Sequence, residues 1–600
     1  MQQKKYRTKP LRIGCATGFW GDSEAGAAQL VAHGNIDYLV FDFLAEITMS
    51  LLARARAKSP EAGYAPDFVR IVAALAPQLK AKGIRVVSNA GGVNPSACRD
   101  ALAQQLLAQG IDLKIAIVEG DDLSDRADAL RETDTREMFS GAAMPAKFLS
   151  VNAYLGAQPI AAALDAGADI VITGRAVDSA VTLGPLVHEF GWAWTDWDKL
   201  ATGSLAGHVI ECGAQCTGGL YTDWERVPGW DDMGFPIAEC EPSGASFVVT
   251  KPPGTGGLIE TGSVAEQIVY EIGDPAAYLL PDVTCDFRAV QLAQDGEHRV
   301  KVSGAKGRTA PARYKVSATY AEGWRVVSTL MVGGRDAARK AQRVGESILQ
   351  RSQRMFTERG WPGYSETSLE VLGAESTYGP HARTAATREV VLKLAAKHAS
   401  REALELLTRE IAPSATAMAQ GITGFAAGRP SPSPVVRLFS FLVDKAQVQA
   451  TVTLDGVVVP FEEARVSEAL AAAAPFAEPA PSPWSGAVQR VPLLKIAHGR
   501  SGDKGDTSNI GIIARTPALY PVLLQQLTAE VVHRYFAHVV QGKVSRYALP
   551  GFNAVNFMLE NALGGGGIAS LRYDPQGKAF AQMLLDIEID VPTVLLEQLA

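Results

Sequence analysis

Several things are missing from this 600-residue sequence, and each absence narrows what it can be. There is no uninterrupted apolar run of about 18 residues, so nothing in it reads as a membrane-crossing helix. Positive charge is not in excess. The 57 Lys and Arg stand against 64 Asp and Glu, a net charge of −7, which argues against a dedicated nucleic-acid binder with its basic face. Cysteine is scarce, six in all, and widely spread, which reads as free buried thiols in a reducing compartment. Only His208, Cys212 and Cys216 recur at four-residue intervals, and their surroundings are glycine-rich and offer no fourth ligand at zinc-like spacing; no metal ligands are expected. Three catalytic signatures are also absent: the Gly-x-Ser-x-Gly elbow, the His-Glu-x-x-His zinc helix and a Walker loop. Gly14–Gly21 reads Gly-x-x-x-Gly-x-x-Gly, a lone and weak dinucleotide signal. The basic start, Met1–Pro10, is followed by Leu11–Phe19, whose arginine and glycines do not make a signal-peptide core, so the expected location is the cytoplasm.

The composition that remains is that of a soluble globular protein, 47% hydrophobic and 20% charged, and the length calls for two to four domains. From Leu11 to Phe190 short apolar runs alternate with amphipathic stretches. Candidate strands are Leu11–Ala16, Tyr38–Phe43, Ile84–Ser88, Lys114–Val118, Phe148–Val151 and Asp169–Thr173, with helices such as Asp67–Lys82 and Pro95–Gly110 between them. That is the pattern of a mainly parallel α/β sheet covered on both faces. Polar residues follow each run: Thr17 and Asp22, Asp42 and Glu46, Asn89 to Asn94, Glu119 to Asp122, Asn152 and Tyr154, Arg175 and Asp178. Parallel strands end on one side, so these groups are expected to meet on one rim, where ligands of such sheets bind.

A second glycine loop, Thr250–Gly257, precedes a helical stretch at Ser263–Ile272, with Thr261 or Ser263 as its cap and Glu266 as the capping-box partner. Its Lys251, Thr255, Gly256 and Gly257 form a candidate anion cradle, with a structural turn as the plainer alternative. Arg288–Gly333 alternates as antiparallel strands, Gly334–Arg354 reads as a helix, and Thr387–Ile411 as one or two more. The expected organisation is an α/β domain over 1–470, with its core at 11–286 and an α+β layer at 287–460. An Ala/Pro/Ser linker at 471–489 leads to a small ferredoxin-like α+β domain at 490–600. In that last domain a strand (Leu493–Ala497) leads through a charged loop to another (Asn509–Ala514); a helix at Ala518–Phe536, a strand at Val544–Leu549, a helix at Asn556–Ala562 and a strand at Gln582–Ile589 follow.

The charged loop, His498-Gly-Arg-Ser-Gly-Asp-Lys-Gly-Asp506, sets His498, Arg500 and Lys504 against Asp503 and Asp506 between glycines. Such a mixture suits a site for an anion, a metal or a reacting carbonyl; a solvated hairpin with local ion pairs is the alternative.

Several stretches together carry a family resemblance: Gly14–Ser23, Asp37–Met49, Ser88–Pro95, Asn152–Pro159, Ala168–Gly191, Gly207–Gly219, Lys251–Pro275, His498–Ala514 and Asn556–Gly577. The sequence resembles the acyclic terpene utilisation protein A (AtuA) family over almost its whole length, with the family's small C-terminal domain after the linker. Gly499 stands where a residue such as alanine is expected. The resemblance implies a part in the breakdown of acyclic isoprenoids and other branched acids through CoA thioesters, and it transfers no catalytic residues.

The expectation is therefore an enzyme without a cofactor of its own, a hydratase or lyase acting on an acyl-CoA, with CoA as part of the substrate. Such chemistry needs a carboxylate to move a proton and donors to hold a thioester enolate. Asp42, Glu46, His498, Asp503 and Lys504 are the candidate catalytic groups. Asn89, Gly91, Gly92, Asn94, Asn152, Arg175, Asp178, Lys251, Thr255, Gly256, Gly257, Arg500 and Asp506 are the candidate substrate-binding groups. The alternatives are a non-catalytic scaffold subunit of an acyl-CoA carboxylase or lyase assembly, and an ATP-dependent ligase. A homo-oligomer is expected, with other pathway enzymes as possible partners and neither nucleic acid nor membrane among them.

Overall fold

The computed structural model describes residues 5–425, 428–464, 472–473 and 486–599. Most of the expected linker, 471–489, lies outside the described residues.

An 11-stranded sheet organises the larger part of the chain. Its centre is five parallel strands in the order β1 (Leu11–Cys15), β2 (Tyr38–Phe41), β3 (Arg85–Ser88), β6 (Ile170–Thr173) and β4 (Ile115–Glu119). Strands Ile237–Cys240 and Thr451–Leu454 pair antiparallel with its two edges, which extends the sheet to both sides. Successive side chains feed two cores, as a sheet covered on both faces requires. Tyr38, Val40, Val87, Val118 and Val171 enter one core, and Leu39, Phe41, Val86, Ile117 and Ile172 the other. That double burial is why these strands are continuous apolar runs.

One expected parallel strand belongs elsewhere. β5 (Ser150–Ala153) pairs antiparallel with the 21-residue strand Arg313–Gly333, the spine of a six-stranded sheet. The same sheet takes in Glu389–His398, which the sequence suggests is helical; only Arg401–Ile411 forms a helix there. Helices Ala337–Glu358 and Arg401–Ile411 pack on this sheet through Ala341, Val344, Ile348, Leu404 and Leu407.

Residues 491–590 form a separate core around a four-stranded antiparallel sheet. Several expectations change in this domain: Leu493–Lys495 is a 3-10 turn instead of a strand, and the strand expected at Gln582–Ile589 is a helix, Phe580–Leu584, followed by a strand at Glu588–Pro592. The charged stretch is itself a strand, Ala497–Lys504, paired with Thr507–Ala514 across a turn at Gly505 (φ +65°) and Asp506. It is largely buried, neither a free loop nor a solvated hairpin. Asn556 lies in a strand, Ala554–Leu559, instead of a helix, and the expected helix Ala518–Phe536 is split into Tyr520–Gln526 and Ala529–Tyr535.

The hairpin packs against the helix Thr261–Val269. A Cβ on Gly502 would lie 2.6 Å from the Tyr270 ring and 2.8 Å from Glu271, so only glycine permits this approach. Two buried asparagines join the domains. Asn509 donates through Nδ2 to Val269 O (2.6 Å) and accepts the Glu271 N–H (2.9 Å), while Asn556 donates to Ile272 O (3.0 Å) and Gly273 O (2.8 Å).

Candidate active site

The groups that follow the parallel strands do meet on one rim. Asp42, just beyond β2, is buried; Asn89, just beyond β3, donates to its Oδ1 at 2.5 Å and accepts the Phe43 N–H at 2.8 Å. Thr17, beyond β1, donates to Asp42 O at 3.1 Å. Beyond β4, Asp121 accepts the Arg175 N–H (2.9 Å) and the Asn152 amide (2.8 Å). Arg175, beyond β6, pairs with Asp178 at 2.8 Å and lies 4.2 Å over the Tyr154 ring. Tyr154 donates to Glu46 at 2.6 Å, and Lys315, from the long strand beside β5, stands 3.8 Å from the same carboxylate. Asn152 and Tyr154 therefore reach the rim from the second sheet, which lies over it.

Asp178, Glu46 and Lys315 keep about a third of their side-chain surface open (31%, 31% and 34%), so these charges border a cleft that reaches solvent and are not sealed into a core. The tip of the C-terminal hairpin closes the cleft. Glu271, Tyr278, Asp178 and Glu46 all act on Lys504 at the hairpin tip. Burial alone would lower its pKa; the surrounding acids outweigh that and raise it. No hydrogen bond or ion pair reaches the Lys504 ammonium among the described residues. Beside it, Lys578 stands 3.3 Å from Glu271 and 3.5 Å from Asp503, and 4.5 Å over the Tyr270 ring. Glu271 holds a left-handed conformation (φ +56°), its N–H fixed by Asn509.

The carboxyls of the cleft are driven apart in acidity. Burial, then the charges of Asp178 and Glu211, push Asp42 well up. Burial works in the same direction on Glu46, but Lys315, Arg175 and the Tyr154 hydrogen bond prevail and hold it at about 2. Burial and the neighbouring Glu271 push Asp503 up to about 7. Asp42 is thus pushed towards its protonated form and Glu46 towards its ionised one, a separation of the kind that distinguishes an acid from a base.

Asp42, Asp178 and Glu211 bring carboxylate oxygens within 4.8 Å of one another, and these hard donors are the group here that could hold a divalent cation. His208 lies 3.2 Å from Glu211, with its other nitrogen 3.2 Å from Ile268 O. Among the described residues it forms no ligand set with Cys212 and Cys216.

The other candidates take different places. The Gly256 and Gly257 amides already donate to Asp232 O and Pro228 O, and the Lys251 ammonium donates to Thr255 O at 2.7 Å. Lys251, Gly256 and Gly257 are therefore tied up within the loop and its neighbours, as in a structural turn. The helix after it begins at Thr261, capped reciprocally by Glu260 and Ser263 and not by the expected Glu266, which is buried and accepts the Thr222 N–H. Asn94 caps the helix Pro95–Ala108, and Gly91 and Gly92 pack tightly against Thr173 O and Leu52. Asp506 accepts two amides of its own domain, from Leu563 and Gly565. Arg500 bonds Gln215 and stacks on Tyr270, next to the cleft. His498 is not in the cleft; it lies on the same face of its strand six residues away, about 20 Å along the chain. Tyr270, Glu271, Lys315 and Lys578 were not singled out from the sequence, since none stands directly after a parallel strand or in the charged hairpin; Glu211 lies in the glycine-rich stretch around Cys212, which draws attention only to its thiols and His208.

A family model described as acyclic terpene utilisation family protein AtuA matches residues 11–454, and one described as the AtuA ferredoxin-like domain matches residues 491–590. No curated protein and no solved structure matches the chain.

Proposed function

Because the chain belongs to the acyclic terpene utilisation family AtuA, we propose that it is an enzyme of acyclic terpene and branched-acid breakdown that adds water to an α,β-unsaturated acyl-CoA, or removes it from the corresponding β-hydroxyacyl-CoA. The observation that carries this reading is the pairing, in one cleft, of a carboxyl pushed up in pKa (Asp42) with one held low (Glu46), facing an ammonium from the second domain (Lys504) that has no hydrogen-bond or ion-pair partner among the described residues.

In the hydration direction Glu46 takes a proton from water as the water oxygen bonds to Cβ. The C=C electron pair moves toward the thioester carbonyl, and the resulting enolate oxygen is stabilised by Lys504 and Arg175. The Asp42 proton then passes to Cα, and proton exchange with solvent restores both carboxyls. Asn89 fixes the orientation of Asp42, and Tyr154 that of Glu46. The Gly256 and Gly257 amides, already paired with backbone carbonyls, give no support to a ligase that would cradle ATP there.

The test is to mix the purified protein with a series of branched enoyl-CoA thioesters and follow loss of the conjugated absorbance. Turnover that falls about 10²–10⁴-fold in Asp42→Asn and Glu46→Gln, with folding intact, supports the reading. Turnover unaffected by both changes, or no turnover of any thioester in either direction, overturns it.

A further inference from the structure

A second hollow lies at the other end of the Thr261–Val269 helix, between the two domains. It encloses about 720 Å³, and Tyr221, Glu260, Lys495, His498 and Arg515 are among the residues that line it. Its acids are already paired: Arg226 grips Glu260 through two hydrogen bonds (2.7 and 2.8 Å), and Arg515 grips Asp223 through two of 2.7 Å.

The groups left over can all donate. His498 is 8% exposed and stacks on Tyr221 at 5.3 Å, yet neither ring nitrogen makes a hydrogen bond among the described residues. Its Nδ1 stands 3.7 Å from Asp223, while Nε2 faces the first turn of the helix, 3.2 Å from where a Cβ on Gly262 would sit. Burial and the Arg515 charge hold the imidazole at about 4, so it is neutral at physiological pH and keeps one N–H. The N–H groups of Thr261 and Gly262 meet no acceptor among the described residues, and the Lys495 ammonium has no partner there. A helix N-terminus carries partial positive charge, and a buried imidazole without a partner is unfavourable unless something fills its hydrogen bonds.

Two amides, an ammonium and an imidazole around a space larger than one small ion are complementary to a tetrahedral oxyanion attached to a larger body. Pro492, Leu494 and Leu599 supply an apolar wall for that body. We propose that this hollow binds the phosphate group of a small phosphate ester, seated on the first turn of the Thr261–Val269 helix and held by His498 and Lys495. The site is independent of the chemistry assigned to the cleft. Its ligand comes either from free phosphates of the cell or from the nucleotide end of a CoA molecule.

The full-length protein titrated calorimetrically with inorganic phosphate, adenosine 3′,5′-bisphosphate and CoA, at neutral pH, tests this. Saturable binding of at least one probe is expected, weakened on the order of tenfold in both His498→Phe and Lys495→Met. Equal binding of phosphate and bisphosphate supports the site with free phosphate as its source; preference for bisphosphate and CoA supports it with the nucleotide as source. No binding of any probe at millimolar concentration overturns the proposal, as does binding that both variants leave intact. If His498→Phe does not fold, the exposed Lys495→Met decides alone.

Discussion

A carboxyl that has given up most of its water and has two more carboxyls as neighbours holds its proton more tightly than a free one, and Asp42 is in that position. Asp42→Asn keeps the shape and removes the titration. The thermal midpoint should therefore stay level or rise while turnover of a branched enoyl-CoA falls; a fall in both would make Asp42 a structural group. Lys504 has the opposite problem, since its ammonium is surrounded by acids and bonded to none of them. Replacing it by methionine removes an attraction that favours the ionised forms of Glu46 and Glu271. The expected outcome is weaker thioester binding and an acidic limb of the pH–rate profile moved upward; an unmoved limb would show that Lys504 is electrically remote from the reacting groups. At this scale the sequence was informative where chemistry follows a strand end directly, as for Asp42, Asn89 and Arg175. His498 could not be told from Lys504 by inspection, because both are nitrogen-bearing side chains of one charged stretch on one face of the same strand, and only the docking of that strand shows which end meets the cleft.

At the scale of elements, the helix Thr261–Val269 connects both hollows and carries its own pH-sensitive group. Glu266 is 2% exposed, and burial pushes its pKa up to about 8. Unfolded, it titrates in the ordinary carboxylate range, so between roughly pH 4.5 and 8 the folded chain binds the extra proton. Stability from this group is complete below that window and declines as pH rises through it, by at most about 1.4 kcal/mol per pH unit. Glu266→Gln keeps the acceptor for Thr222 and removes the decline. Its melting temperature should match the wild type near pH 5 and exceed it near pH 8; equal differences at both values would place the charge elsewhere. The parallel strands were readable because burial on both faces leaves only apolar residues in them. Glu389–His398 was not, since Leu392, Leu394, Ala395 and Ala396 favour helix locally. Pairing with strands on both sides outweighs that preference. Asn556 was likewise misplaced into a helix, because nothing local says that a buried asparagine will serve a neighbouring domain.

Over the whole molecule, the cleft exists only while the ferredoxin-like domain is docked, because Lys504, Asp503 and Lys578 come from it and Asp42, Glu46 and Arg175 do not. The sequence pointed to two domains and a charged segment in each. It could not supply the contact, which depends on glycines that allow close approach and on Asn509 and Asn556, whose partners are carbonyls more than 200 residues away. Asn509 is the sharpest place to test that dependence. Its amide also donates to Asn556 Oδ1 at 2.9 Å, so Asn509→Leu strands the Val269 carbonyl, the Glu271 N–H and one oxygen of Asn556. Each such buried group costs about 1–3 kcal/mol when left unpaired. A loss of that size at the interface, with both cores untouched, should split one calorimetric unfolding transition into two, the earlier one being undocking. Far-UV circular dichroism should be unchanged at low temperature, while turnover falls as far as it does in Lys504→Met. If the variant instead melts in one step at the wild-type temperature and keeps its turnover, the two domains do not depend on these asparagines to build the cleft, and the site must be assembled within the larger domain alone.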